Sequence, residues 1–178
     1  MNIWIIPITF ILFCTYVYLR FCKRRSEYRC KLTNVQTLLN KILKNITLLN
    51  LSGTQIVTDY TAISTRFEEN YSYERPDGYT DLLDELNQIE KEGRVINSAL
   101  TIFLEIESYC NEIEAIATKN TGDFEIKHGR TRAVQLSKAA NKLISASGYS
   151  DLTQGLRQIK EETQRHHNLV TMQKKLKA

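Results

Sequence analysis

Seventeen consecutive residues near the N-terminus, Ile3 to Leu19, carry no charge. A bilayer-spanning helix needs about 20 apolar residues, with ~17 as the lower limit. Phe21 and Cys22 extend the run if Arg20 turns its guanidinium toward the headgroups. Pro7 falls in the first turns, where its missing N–H does least harm. Trp4, Tyr16 and Tyr18 suit the two interfacial belts. Six cations follow at once: Arg20, Lys23, Arg24, Arg25, Arg29 and Lys31, opposed only by Glu27. A cleaved signal peptide has its cations before the apolar run and small residues after it. The order here is the reverse. The pattern predicts a retained transmembrane anchor over residues 1–22 and a basic juxtamembrane segment over 23–31. The positive-inside rule puts the N-terminus outside and the body, residues 32–178, in the cytoplasm of a single-pass cell-membrane protein.

Charge placement narrows the partners. The chain carries +4 overall, yet residues 32–178 hold 18 Lys and Arg against 19 Asp and Glu. A nucleic-acid-binding body needs basic surface spread over the fold, so the expectation is no nucleic acid. The lipid bilayer is the expected partner of the N-terminal segment. Cys22, Cys30 and Cys110 would sit in a reducing compartment, where disulfides are rare.

The body reads as helices. In 178 residues there are only 7 glycines and 2 prolines. Apolar residues recur at three and four, the spacing of one buried helix face. Leu32, Val35, Leu39, Ile42, Ile46 and Leu49 define a first helix continuous with the anchor. Ser52-Gly-Thr-Gln55 has the capping-box pattern and precedes Ile56, Tyr60, Ile63 and Phe67. After the loop Glu74–Gly78, a long third helix carries Leu82, Leu86, Ile89, Gly93, Ile96, Leu100, Phe103, Ile106, Tyr109, Ile113 and Ile116. Gly93 interrupts this heptad seam and predicts a close helix crossing or a kink. A fourth helix places Ala133, Leu136, Ala140 and Leu143 together. A fifth carries Leu152, Leu156, Ile159, Leu169, Met172 and Leu176. The expected fold is all-α: one N-terminal transmembrane helix, then an antiparallel helical bundle with one long helix.

Two segments match at an offset of 70 residues. Gly78-Tyr-Thr-Asp-Leu and Gly148-Tyr-Ser-Asp-Leu both open a helix, and Leu86, Gln88 and Ile89 match Leu156, Gln158 and Ile159. Glycine stops, hydroxyl caps and acids recur in unrelated helices. Tyr79 and Tyr149 exceed what capping demands, so a duplicated helical hairpin is the favoured reading, related by an approximate two-fold. Tyr79, Asp81, Tyr149 and Asp151 are its corners.

Chemistry is sparse. No phosphate loop, nucleophile elbow, paired CxxC or HExxH is present, so no catalytic, cofactor or metal residue is assigned. His166 and His167 are adjacent and point about 100° apart, unlike ligands spaced at i and i+4. Glu162 and His166 do have that spacing, and a metal- or small-molecule-binding bundle built on them and the acids of the third helix stays open. Those acids (Glu85, Glu90, Glu92, Glu105, Glu107, Glu112, Glu114) read as a solvated face, with Lys91 and Arg94 as local partners.

Tyr79-Thr-Asp-Leu82, Leu86, Gln88, Glu92-Gly-Arg94-Val95 and Tyr109, in that order behind a short anchor, resemble the LemA family. The family's proline-containing segment after the first helix has no counterpart in Asn45–Asn50. The resemblance covers about residues 78–110 and implies an antiparallel bundle on a membrane, with no established catalysis. The expected function is a non-enzymatic, membrane-anchored scaffold or adaptor. Its partner would be another protein or a second copy, met through apolar helix faces, above all a third-helix seam longer than its neighbours can cover. An alternative is an envelope-disrupting effector, similar to phage spanins in having one anchor and a helical stalk. That would require the body outside the cytoplasm.

Overall fold

The computed structural model describes residues 5–71, 79–120, 122–146 and 149–176, with side chains placed from Phe10 onward except at 79–80, 146 and 149–150. Five helices follow one another: α1 (Ile5–Leu48), α2 (Gln55–Tyr71), α3 (Tyr79–Lys119), α4 (Phe124–Ala146) and α5 (Tyr149–Leu176). No strand occurs among the described residues. The expected Glu74–Gly78 loop and the Gly148 stop lie outside the described residues. No helix among the described residues is long and apolar enough to cross a membrane. The uncharged run Ile3–Leu19 begins in residues whose side chains are not described.

Helix α1 is one 44-residue rod, about 66 Å long at 1.5 Å per residue. Its second half carries the core face read from the sequence: Val35, Leu39, Ile42 and Ile46 are buried. It stops in a Schellman turn. Leu51 N–H donates to Ile46 O and Asn50 N–H to Thr47 O, both at 3.1 Å. Asn50 adopts φ 50°, a left-handed conformation that Asn tolerates better than most residues. Leu51 then packs on the core beside Ile46. The expected capping box does not form, and the Thr54 hydroxyl has no hydrogen-bond partner. Thr54, not Ser52, precedes the helix, its carbonyl accepting from Val57 and Thr58 N–H. Gln55 donates from Nε2 to Asp59 Oδ1 instead of reaching back.

Consecutive helices are antiparallel, as expected. The pairs Arg66–Glu92 and Tyr71–Leu82 run in opposite order along α2 and α3. Ser137–Glu107 and Arg130–Glu114 do the same for α4 and α3. The principal lateral packing is parallel: Lys160 meets Glu105 and His167 meets Glu112, both 55 residues apart. Helix α1 likewise runs alongside α3 in the same direction, with Lys31 at Glu90 and Leu38 at Gly93. So α3 lies at the centre, parallel to α1 and α5, with α2 and α4 antiparallel to it.

The packing register bears on the repeat. Matched segments lie 70 residues apart in sequence, but α3 and α5 pack 55 apart. The second hairpin is therefore displaced by about fifteen residues, roughly 22 Å along the axis. The two matched segments thus open their helices at different levels of the bundle. The core divides accordingly. One cluster joins α1, α2 and the first part of α3 with Ala140, Ile144, Leu152 and Leu156. The other joins Ile113, Ala117, Ile126, Ala133 and Val170.

Two sequence expectations are corrected by this arrangement. The α3 seam is covered: Leu100, Ile106 and Ile113 are fully buried, and so is Ala99 on its flank. The reason is the number of neighbours, since α3 packs against all four other helices. The predicted α5 face breaks after Ile159. The buried side continues through Thr163 and Val170, while Leu169, Met172 and Leu176 are exposed. Ten residues from Ile159 to Leu169 turn a helix by about 280°, which leaves the face.

Glycines set the closest crossings. A Cβ at Gly93 would stand 3.1 Å from Leu38 Cδ2, so the close crossing expected there is with α1. At Gly129 of α4 a Cβ would stand 2.4 Å from Val170 Cγ2 of α5. Gly129→Ala should therefore destabilise the chain by about 1–3 kcal/mol through overpacking. Combined with Val170→Ala, it should cost less than the sum of the two single changes. Urea unfolding of the four chains of this cycle provides the measurement.

Candidate functional site

Polar chemistry in the described residues concentrates on α3, whose carboxylates meet cations from every other helix. Arg66 of α2 donates from Nε to Glu85 at 3.0 Å and from Nη1 to Glu92 at 2.9 Å. Arg130 of α4 donates to Glu114 at 2.7 Å. Lys160 and His167 of α5 take Glu105 at 2.5 Å and Glu112 at 2.7 Å. Lys31 of α1 takes Glu90, which also binds Arg94 one turn on. Ser137 donates to Glu107 at 2.8 Å. The acids expected on a solvated face are thus rungs between helices, and Arg94–Glu90 is the local pair that fits the sequence reading. Partners so far apart in the chain give no periodic signal, so sequence spacing could not reveal them.

Glu162 and the α3 acids singled out for metal binding are engaged otherwise. Glu162 accepts from Arg132 Nε at 2.9 Å. It is His167, not His166, that reaches an acid of α3, with its ring 5.2 Å from that of Tyr109. Among the described residues no three His, Cys, Asp or Glu side chains are grouped to hold a metal ion. Cys110 donates its thiol to Ala133 O at 3.5 Å. Burial, with Glu107 nearby, pushes that thiol up to about 11, the opposite of a reactive cysteine.

The N-terminal part of α1 has a different character. Phe10, Ile11, Leu12 and Phe13 are all exposed, and so are Tyr16, Val17, Tyr18, Leu19 and Phe21. Successive helix residues turn by about 100°, so the first four alone cover all sides of the rod. Arg20, Lys23, Arg24, Arg25 and Arg29 follow as exposed side chains, with Lys23 3.9 Å from Glu27. Lys31, the sixth cation of the basic segment, is half-buried and belongs to the bundle through Glu90. Tyr28 is also drawn into the fold, its ring 6.3 Å from that of Tyr71.

The repeat corners open α3 and α5, which begin at Tyr79 and Tyr149. The side chains of those tyrosines lie outside the described residues. Asp81 and Asp151 are exposed in the first turns, where a carboxylate faces the positive end of the helix dipole. They stand on separate helices displaced along the axis, so the corners do not converge.

No family model, curated protein or solved structure matches this chain.

Two solution outcomes follow from these contacts. Hydrogen bonds from Lys31 first, then Arg94, hold the Glu90 carboxyl below the usual carboxylate range. A depressed folded value stabilises the fold above the unfolded value of about 4.3 and is lost as pH falls through the lower one. Glu90→Gln should therefore lose less stability than the parent on acidification from about pH 5 to pH 3, as read by urea midpoints. In detergent near pH 8, iodoacetamide should modify exposed Cys30 well before Cys110. Equal labelling of the two in the folded chain would contradict the buried thiol.

Proposed function

We propose that this chain is a non-enzymatic, membrane-anchored scaffold: a rigid helical bundle held on a bilayer by the N-terminal part of α1. The observation that carries the reading is the exposure of apolar side chains on every side of α1 from Phe10 onward. A partner helix would cover one stripe of such a rod, whereas lipid covers all of it. The same helix continues without a break into the core, so the bundle would be coupled stiffly to its anchor. In this reading the uncharged run from Ile3 supplies the remaining length, and the collar from Arg20 to Arg29 keeps the body on the cytoplasmic side. The resemblance to the LemA family agrees with a helical bundle on a membrane. Because the α3 seam is filled from within, partners of the scaffold would meet other surfaces.

The test is extraction and flotation of the full chain. It should stay with membranes through alkaline carbonate and float with lipid. Leu12→Arg with Val17→Arg should release it, with the bundle's unfolding midpoint unchanged because neither side chain is part of the core. In intact cells the C-terminus should be protected from added protease. Release of the parent chain by carbonate would overturn the anchor, and digestion from outside would reverse the orientation.

A further inference from the structure

Helix α5 has a second apolar stripe that the core does not use. Leu169, Met172 and Leu176 are 57%, 64% and 80% exposed. Their spacing of three and four puts them on one side, away from buried Thr163 and Val170. Phe124, the first residue of α4, is 81% exposed. It borders the same open cleft of about 400 Å³ as Leu169, which His128 and His166 also line. Four large apolar side chains therefore crown one end of the molecule.

Charge distinguishes this end from the rest of the body. No Asp or Glu follows Glu162, while Arg165, Lys174 and Lys175 are exposed on α5 and Lys127 on α4. Lys119 and Arg130 add to them, against Glu112 and Glu114 on α3 and Asp123 and Glu125 at the start of α4, so six cations face four acids here. Residues 32–178 as a whole carry one more acid than cations, so the positive end is a local feature. A second copy docked here would set these cations against their equivalents, a like-charge penalty. Exposed Phe, Leu and Met beside Lys and Arg are the composition that enters the headgroup region of an anionic leaflet.

Position supplies the consequence. Because α5 runs parallel to α1 through α3, this end lies opposite the apolar N-terminal part of α1. Following the rise from Arg20 to the level of Gly93, then along α3 to Glu112 beside His167, separates the two on the order of 60 Å. We infer that the end formed by Phe124, Leu169, Met172 and Leu176 docks on an anionic bilayer surface, so that the anchored bundle bridges two membranes. This inference rests on the anchored reading above.

The experiment uses the full chain reconstituted into phosphatidylcholine vesicles, mixed with a second, dye-labelled vesicle population. That population is either phosphatidylcholine alone or phosphatidylcholine with phosphatidylserine. Flotation reports the anchor, and capture of dye reports the far end. The expected result is capture of the phosphatidylserine vesicles only, falling about tenfold with Leu169→Glu and Met172→Glu, while flotation is unchanged. Both substitutions are at exposed positions, and an unchanged unfolding midpoint checks that the variant folds. Capture of neither population, of both equally, or equal capture by the variant would overturn the inference. So would a dimer in detergent, seen by light scattering, that the variant abolishes without changing capture, because the face would then belong to a second copy. If the parent fails to float, the anchored reading falls. Co-sedimentation of the same two proteins with phosphatidylserine vesicles then decides the docking face: loss of binding in the variant supports it, and equal binding overturns it.

Discussion

The structure depends on a single crowded helix. Every other helix packs against α3, so its apolar side chains have to point several ways at once. Ala99, Leu100, Ile102 and Phe103 are buried in close succession, which a helix with one neighbour could not achieve. Small residues in the packed surface, Gly93, Ala99 and Ala117, let neighbours come close. The carboxylates of α3 occupy the remaining directions, between the apolar stripes, where cations from all four neighbours reach them. Partly exposed ion pairs of this type are worth about 0–1 kcal/mol each. Their main effect is to favour one axial register over slipped alternatives, since a shift of one turn would set several carboxylates against the wrong partners.

That register gives the molecule its shape. Parallel neighbours of α3 are displaced along it, so α1 with α2 fills the first part of its length and α4 with α5 the later part. The result is an elongated, staggered bundle with two apolar clusters. Its two ends differ chemically. One is a rod with apolar side chains on every side and a basic collar; the other is a compact end with exposed Phe124, Leu169, Met172 and Leu176. The continuity of α1 through collar and core joins them rigidly, because no hinge residue stands between Arg20 and Val35. A stiff link of this kind fixes the distance between the ends, which a flexible tether would leave variable.

Much of the fold was legible in the sequence. Periods of three and four found all five helices and named most of the buried side chains, including the whole α1 face from Val35 to Ile46. These are local properties: few helix breakers, strong periodicity and capping chemistry act within one or two turns. Helix ends were read less well. Asn50 closes α1 through a positive φ, and no pattern around it distinguishes it from the other asparagines of that stretch.

The sequence by itself determined an all-helical chain, with a run of uncharged residues ahead of a cluster of six cations. Tertiary structure alone decided how those residues are used. It drew Lys31 out of the basic cluster and into the bundle, because Glu90 of α3 stands beside it. It closed the α3 seam, because four helices converge there. It left Leu169, Met172 and Leu176 outside, because the buried face of α5 follows α3 and α4 through Thr163 and Val170. The physical reason is the same in each case: periodicity says that a side chain lies on a stripe, but which stripe is covered depends on where distant helices come to rest.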